Sequence, residues 1–241
     1  MTKTIAFDTS NQPLSVALFD ADHVIAQIET NISRNQSEQL LPAIDQLVSD
    51  AGWVAGDLER VVVSAGPGSY TGLRIGVTTA KTLAYTLGLE LVGISSLGLL
   101  AANVKNEDTI IVPVMDARND NLYAAAYEWV DGQLVAHLAD QHTNITALLE
   151  KLAAFNGRQL MFVGDLERFN DRILVAYPDA KVAEDTLPHA ANSLVLAQQA
   201  TVITEMDDIH QFVPNYHRLS QAEADWARAH PEEEVGYVER V

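Results

Sequence analysis

One segment limits the folds open to this chain more than any other: Ala65-Gly66-Pro67-Gly68-Ser69-Tyr70-Thr71-Gly72-Leu73-Arg74-Ile75-Gly76. It follows Val61-Val62-Val63, an apolar run that reads as a buried strand. Strand, glycine-rich turn and helix together present backbone N–H groups to an anion. The loop has neither the lysine of a Walker-type phosphate loop nor the glycine spacing of a dinucleotide fingerprint. The helix carries a second pattern. Gly72, Gly76, Ala80, Ala84 and Gly88 recur every four residues and form one slowly drifting stripe almost without side chains. Such a stripe lets another element approach closely. Packing inside the chain's own core and contact with a partner are both open at this point.

Composition narrows the function classes. The 241 residues are 48% hydrophobic, enough for one large domain or two small ones. Fifteen Lys and Arg stand against 33 Asp and Glu, a formal charge of −18. That balance opposes autonomous binding to nucleic acid or an anionic membrane, and leaves RNA work inside a complex open. The absence of cysteine removes disulfides, thiol catalysis and cysteine-ligated metals. Met1-Thr2-Lys3-Thr4 leads into a strand and not a signal peptide, and no apolar run reaches the ~20 residues of a membrane span. A cytoplasmic location is expected.

Along the chain, Thr4–Phe7, Leu14–Phe19 and Val24–Ile28 read as an antiparallel meander. A helix then opens at Asn35, with Glu38 completing a capping box, and runs to Ala51 with Pro42 starting or bending it. Val61–Val63, the glycine-stripe helix, Leu89–Ile94 and a helix from Ser95 or Ser96 to Val104 complete a first unit. The order restarts at Thr109–Met115, with Leu122–Val130 and Gln133–His137 joined by Asp131-Gly132, a helix over Asn144–Phe155 and a strand at Leu160–Val163. Strand, Asp, turn, strand, strand, helix, strand thus appears twice. The expected architecture is α/β, two similar lobes with a cleft between them, divided as 1–105 and 106–241. Asp8 and Asp116 end equivalent first strands and would face each other across that cleft. Ala190–Ile203 reads as a helix. The polar tail from His210 through Glu232-Glu233-Glu234 reads as loosely held, with its last helix or tail also able to return to the first lobe.

Two lobes of this order resemble the actin-like (ASKHA, ribonuclease H-like) superfamily. Ile5-Ala6-Phe7-Asp8-Thr9-Ser10, the motif from Gly66 to Gly76, Gly93-Ile94-Ser95-Ser96-Leu97, Asp116-Ala117-Arg118 and Pro214-Asn215-Tyr216-His217-Arg218 resemble the bacterial TsaB (YeaZ) family, over residues 5 to about 225. The resemblance implies an accessory, non-catalytic subunit for making threonylcarbamoyladenosine beside the anticodon of tRNA. It implies a TsaD-like catalytic partner that carries the metal, a TsaE-like ATPase, and docking through the helices near Ser37–Ala51 and Gly72–Leu87. It also implies that tRNA is met only through the complex, with ATP, ADP and Mg²⁺ belonging to that complex. A homodimer of the isolated chain is a further expectation.

The candidate residues fall into two groups. Leu41, Ile44, Gly72, Arg74, Gly76, Ala80 and Ala84 are candidates for a partner interface. Asp8, Ser10, Gly66, Gly68 and Asp116 are candidates for a remnant nucleotide pocket. Beside that reading, Asp8 and Ser10 would simply bond the turn backbone, and Asp116 would pair with Arg118. No two histidines lie three or four apart on an expected helix, and the family's His-Ser-Glu helix start is Gln36-Ser37-Glu38 here. No metal site and no peptidase machinery are therefore expected. The alternative is a nucleotide-dependent enzyme of the sugar-kinase type.

Overall fold

The computed structural model describes residues 2–31 and 35–217. Two sheets carry the chain, each built in the same order. In the first, β1 (Lys3–Asp8), β2 (Leu14–Asp20) and β3 (His23–Thr30) form an antiparallel meander, and helix α1 (Gln36–Asp50) leads to β4 (Arg60–Gly66), parallel to β1. Helix α2 (Tyr70–Leu87) then returns the chain to β5 (Glu90–Ser95), parallel to β4. In the second, β6 (Thr109–Asp116), β7 (Asn121–Val130) and β8 (Gln133–Asn144) form the meander. Helix α4 (Ile145–Leu152), β9 (Gln159–Gly164), α5 (Asn170–Ala176) and β10 (Lys181–Val182) complete it. The strand orders 3-2-1-4-5 and 8-7-6-9-10 correspond position by position.

Burial explains the strand composition. β1 and β4 lie mid-sheet with both faces covered, so their apolar runs need no alternation. Short α3 (Ser96–Ala101) is buried throughout and forms the seam between lobes. Its Leu97, Leu100 and Ala101 pack with second-lobe residues such as Ile111 and Val163, and its Leu99 packs with Ala6, Val62 and Val92 of the first.

Several local expectations are corrected. Asn35 is left-handed (φ 73°) and its side chain bonds the Glu38 carboxylate at 2.9 Å, so no capping box forms. Pro42 sits inside α1, which runs on from Gln36. The segment from Ala190 to Ile203 is not one helix. A single 3-10 turn (Ala190–Asn192) leads to α6 (Ser193–Ala197), and the chain then adds β11 (Val202–Ile203) antiparallel to β5. The tail is not loose as far as residue 217. Helix α7 (Met206–Gln211) buries Ile209 in the first lobe's core, and the Lys81 ammonium of α2 donates to the His210 carbonyl at 2.6 Å. Residues 218–241, including the Glu232–Glu234 run and Arg218, lie outside the described residues.

From Gly72 to Ala84 the glycine–alanine stripe faces inward, while Gly88 caps the helix in the open. Ala80 and Ala84 are fully buried in the cluster that joins α1 and α2 to the first sheet, with Ile44 and Val63. A Cβ on Gly76 would lie closer than 3.0 Å to the Thr9 hydroxyl and 3.4 Å from Val63. Ile44, Gly72, Gly76, Ala80 and Ala84 are therefore core, not interface, in this chain; a helix lies against its own sheet where small residues let the backbones meet. The outward residues of the candidate set are Leu41, 54% exposed, and Arg74.

Two predictions follow from this packing. Ala80→Leu overfills a closed site, so it should destabilise the fold by about 1–3 kcal/mol despite leucine's good helix propensity. A lowered melting temperature with an unchanged elution volume is expected; an unchanged melt with altered oligomeric state would contradict the inward stripe. The second concerns His189, whose ring nitrogens meet Glu29 at 2.6 Å and Asp185 at 2.8 Å. Burial works to lower its pKa, but the hydrogen bonds and charges of Asp185 and Glu29 prevail and raise it above the ordinary 6.5. That stabilisation is complete below about pH 6.5 and is lost as pH rises through the folded value. In urea melts, the parent's advantage over His189→Gln should be larger at pH 6 than at pH 9; a gap that widens with pH would contradict this.

Candidate functional site

A cleft of about 580 Å³ opens between the lobes. One wall comes from Ser10, Asn11 and the turn Gly68–Thr71 at the start of α2; the other from Met115–Asn119 at the end of β6. Asn215, Tyr216 and His217 cross its mouth. The site owes its shape to what the glycine motif packs against.

At the start of α2, Ser69 caps the helix, its hydroxyl accepting from the Gly72 N–H at 3.4 Å. The Ser69 N–H donates to the Ser10 carbonyl at 2.7 Å, and the Thr9 hydroxyl donates to the Gly72 carbonyl at 2.7 Å. A Cβ on Gly68 would lie closer than 3.0 Å to the Ser10 carbonyl, and one on Gly72 closer than 3.0 Å to the Thr9 carbonyl. Gly66, at φ 130°, would meet the Asn215 carbonyl in the same way, and the Asn215 N–H donates to the Ala65 carbonyl at 2.7 Å. The motif's glycines thus admit this chain's own backbone.

Of the five candidate nucleotide residues, Ser10, Gly68 and Asp116 lie along the cleft, whereas Asp8 and Gly66 do not. Asp8 is fully buried. The Ser10 hydroxyl donates to its Oδ1 at 2.7 Å, while Oδ2 has no hydrogen-bond partner among the described residues. Burial raises its pKa from the ordinary carboxylate value, while the nearby Ser64 and Ser10 hydroxyls work to lower it. A carboxyl so placed is turned away from the cleft in which a hydrated cation would sit. The phosphate-facing turn is likewise filled by the Thr9 and Ser10 backbone. The arrangement does not fit a nucleotide held in the manner of a sugar kinase. Asp8 and Asp116 do not face each other as expected, because Asp8 turns into its lobe.

Asp116 is at the cleft but pairs with Arg168, at 3.2 Å, and not with the Arg118 side chain; the Arg118 backbone N–H donates to its Oδ1 at 2.8 Å. Its own N–H donates to Asp165 Oδ2 at 3.1 Å, and the Asn11 amide reaches the same oxygen at 3.3 Å, a tie between lobes. Arg118, Asn119 and Asp120 all have positive φ (65°, 52° and 62°), a costly run for residues with a Cβ. Arg172 braces the turn through Asp120 at 3.0 Å. Gln36 bonds the carbonyls of Asn11, Gln12 and Pro13, so it holds the turn after β1.

One buried group was not foreseen. Asp140 of β8 accepts from Ser95 at 2.5 Å and from Tyr127 at 2.8 Å. Burial raises the Asp140 pKa, opposed by those hydrogen bonds and by His217. Tyr127 is pushed far up by burial and by the Asp140 charge. Burial lowers His217, with Asp140 opposing. Ser95 also caps α3, so one hydroxyl serves the seam helix and the second lobe. Ser95 stood in a motif, but nothing in the sequence links it to a carboxylate 45 residues on. Among the described residues no three His, Cys, Asp or Glu side chains form a metal-holding group, and no helix is long and apolar enough to cross a membrane.

Comparison with known proteins gives this geometry its context. Residues 23–226 match the family model described as TsaD, tRNA N6-adenosine threonylcarbamoyltransferase. The tRNA threonylcarbamoyladenosine biosynthesis protein TsaB of Bacillus subtilis is 36% identical over 226 residues, 92% of this chain and 96% of that protein. TsaB of Escherichia coli is 32% identical over 128 residues, 52% of this chain and 55% of that protein. The solved structure of YeaZ from Pseudomonas aeruginosa superposes with a TM-score of 0.73 at 23% identity, covering 90% of this chain and all of that one.

The packing around Gly72 yields a test. Alanine is the better helix former by ~1 kcal/mol. Gly72→Ala should nevertheless lower the melting temperature, because its methyl meets the Thr9 carbonyl. A stabilised variant would show that the turn is open.

Proposed function

Because this chain belongs to the TsaB family and takes part in forming threonylcarbamoyladenosine in tRNA, we propose that it acts there as a non-catalytic accessory subunit. In this reading it holds a TsaD-type catalytic subunit, in the cytoplasm, through the outward faces of α1 and α2. The observation that carries the reading is the filled glycine turn: the element that would cradle a phosphate is occupied by Thr9 and Ser10 of the same chain. The same packing disfavours the sugar-kinase alternative.

The partner surface moves from the small-residue stripe to the opposite side of the same helices. Leu41 at 54% and Tyr85 at 59% exposure are large apolar groups there, with Arg74 beside Tyr70 on the first turn of α2. Aromatic and arginine side chains of this kind anchor interfaces. The match of 204 residues to the TsaD model supports a pairing of two similarly built chains. A TsaE-type ATPase would join that pair. The charge of −18 supports tRNA being met through the other subunits.

Mixing this chain with the TsaD-type protein of its own source should give a complex on size exclusion. Leu41→Asp with Tyr85→Ala should weaken it tenfold or more and leave the melting temperature of the isolated chain within a few degrees. A complex unaffected by both changes would overturn the assignment of this face. Threonylcarbamoyl transfer by this chain alone would overturn the accessory role.

A further inference from the structure

The segment between α7 and residue 217 runs along the first lobe and ends in the cleft. It touches the lobe at three points. The Phe212 ring lies in a notch over Gly93 of β5, where a Cβ would stand 2.5 Å from the ring. The Asn215 N–H donates to Ala65 at 2.7 Å, with Gly66 making room for the Asn215 carbonyl. The Tyr216 ring stacks on Tyr70, centroids 5.0 Å apart. Beyond these, His217 lines the cleft with Met115 and Tyr123 of the second lobe.

We propose that residues 212–217 form a releasable latch that fixes the opening angle between the two lobes. Two features support this. The lobes share a continuous packed seam at α3, a fit place for a hinge. At the cleft, the Asn11–Asp165 contact ties the lobes, and His217 at the end of this segment lies beside second-lobe residues and interacts electrostatically with Asp140 of β8. Every residue of the segment is exposed or half-buried, Val213 is 66% exposed, and the Ala65, Gly93 and Tyr70 positions it touches lie at the margin of the buried core. A half-exposed strap at the edge of the packed core is the kind of element that opens before the lobes it joins. Its release would also reach the partner-facing side, because the Tyr70 ring that receives Tyr216 carries Arg74 over it at 4.7 Å.

The chain has no cysteine, so two introduced ones are unique labelling sites. Ser49→Cys on α1 and Asp171→Cys on α5 are exposed, one per lobe. Spin-label distances in the full-length chain should show one narrow distribution. Adding Phe212→Ala and Tyr216→Ala should broaden it or add a second distance, with the melt still cooperative. An unchanged distribution would overturn the latch. Should that variant fail to fold, Gly93→Val displaces the ring from the lobe side and leaves the strap intact; a broadened distribution supports the latch. Failure of Gly93→Val to fold would make the strap a staple of the first lobe and overturn the proposal. The measurement needs no partner, so it stands apart from the accessory role.

Discussion

The contact on which the rest of this structure depends is backbone against backbone: the Gly68–Gly72 turn lying on Thr9 and Ser10. Two hydrogen bonds of 2.7 Å join them, and neither Gly68 nor Gly72 has space for a Cβ. That one contact sets the start of α2, seals Asp8 inside the first lobe and shapes one wall of the cleft. It also decides which side of α2 faces solvent. Once the small residues are spent on close approach to the sheet, what remains outward is Arg74, Tyr85 and a row of threonines.

The architecture was legible because its signals are local. Short apolar runs separated by polar turns, and one restart of that order at Thr109, are enough to imply two similar lobes. The direction of the glycine–alanine stripe was not legible. Spacing says that one side of a helix is small; it does not say whether a sheet or another molecule lies there. Asp116 shows the same limit: Arg118 is two residues away, yet its ion-pair partner is Arg168, brought by the return from β9. The tail misled for a different reason. Ile209 and Phe212 are the apolar anchors of a polar stretch, and two residues carry no periodicity, though their three-residue spacing is the one hint that this stretch docks.

The chain matches a transferase family model over residues 23–226, and its glycine turn is packed against its own backbone. The buried Asp8 carboxyl belongs to the same packing. Burial raises its pKa, and the Ser10 hydroxyl holds the carboxyl to the turn that follows β1. The buried Ser95–Asp140–Tyr127 group does similar work at the seam, where satisfied polar contacts specify one arrangement of lobes that apolar packing alone would leave less defined.

The central claim, that the glycine motif is an internal seal, is tested most directly by isothermal titration of the isolated full-length chain with Mg²⁺ and ATP. The account predicts no heat of binding up to millimolar nucleotide. Stoichiometric binding with a micromolar dissociation constant would contradict it.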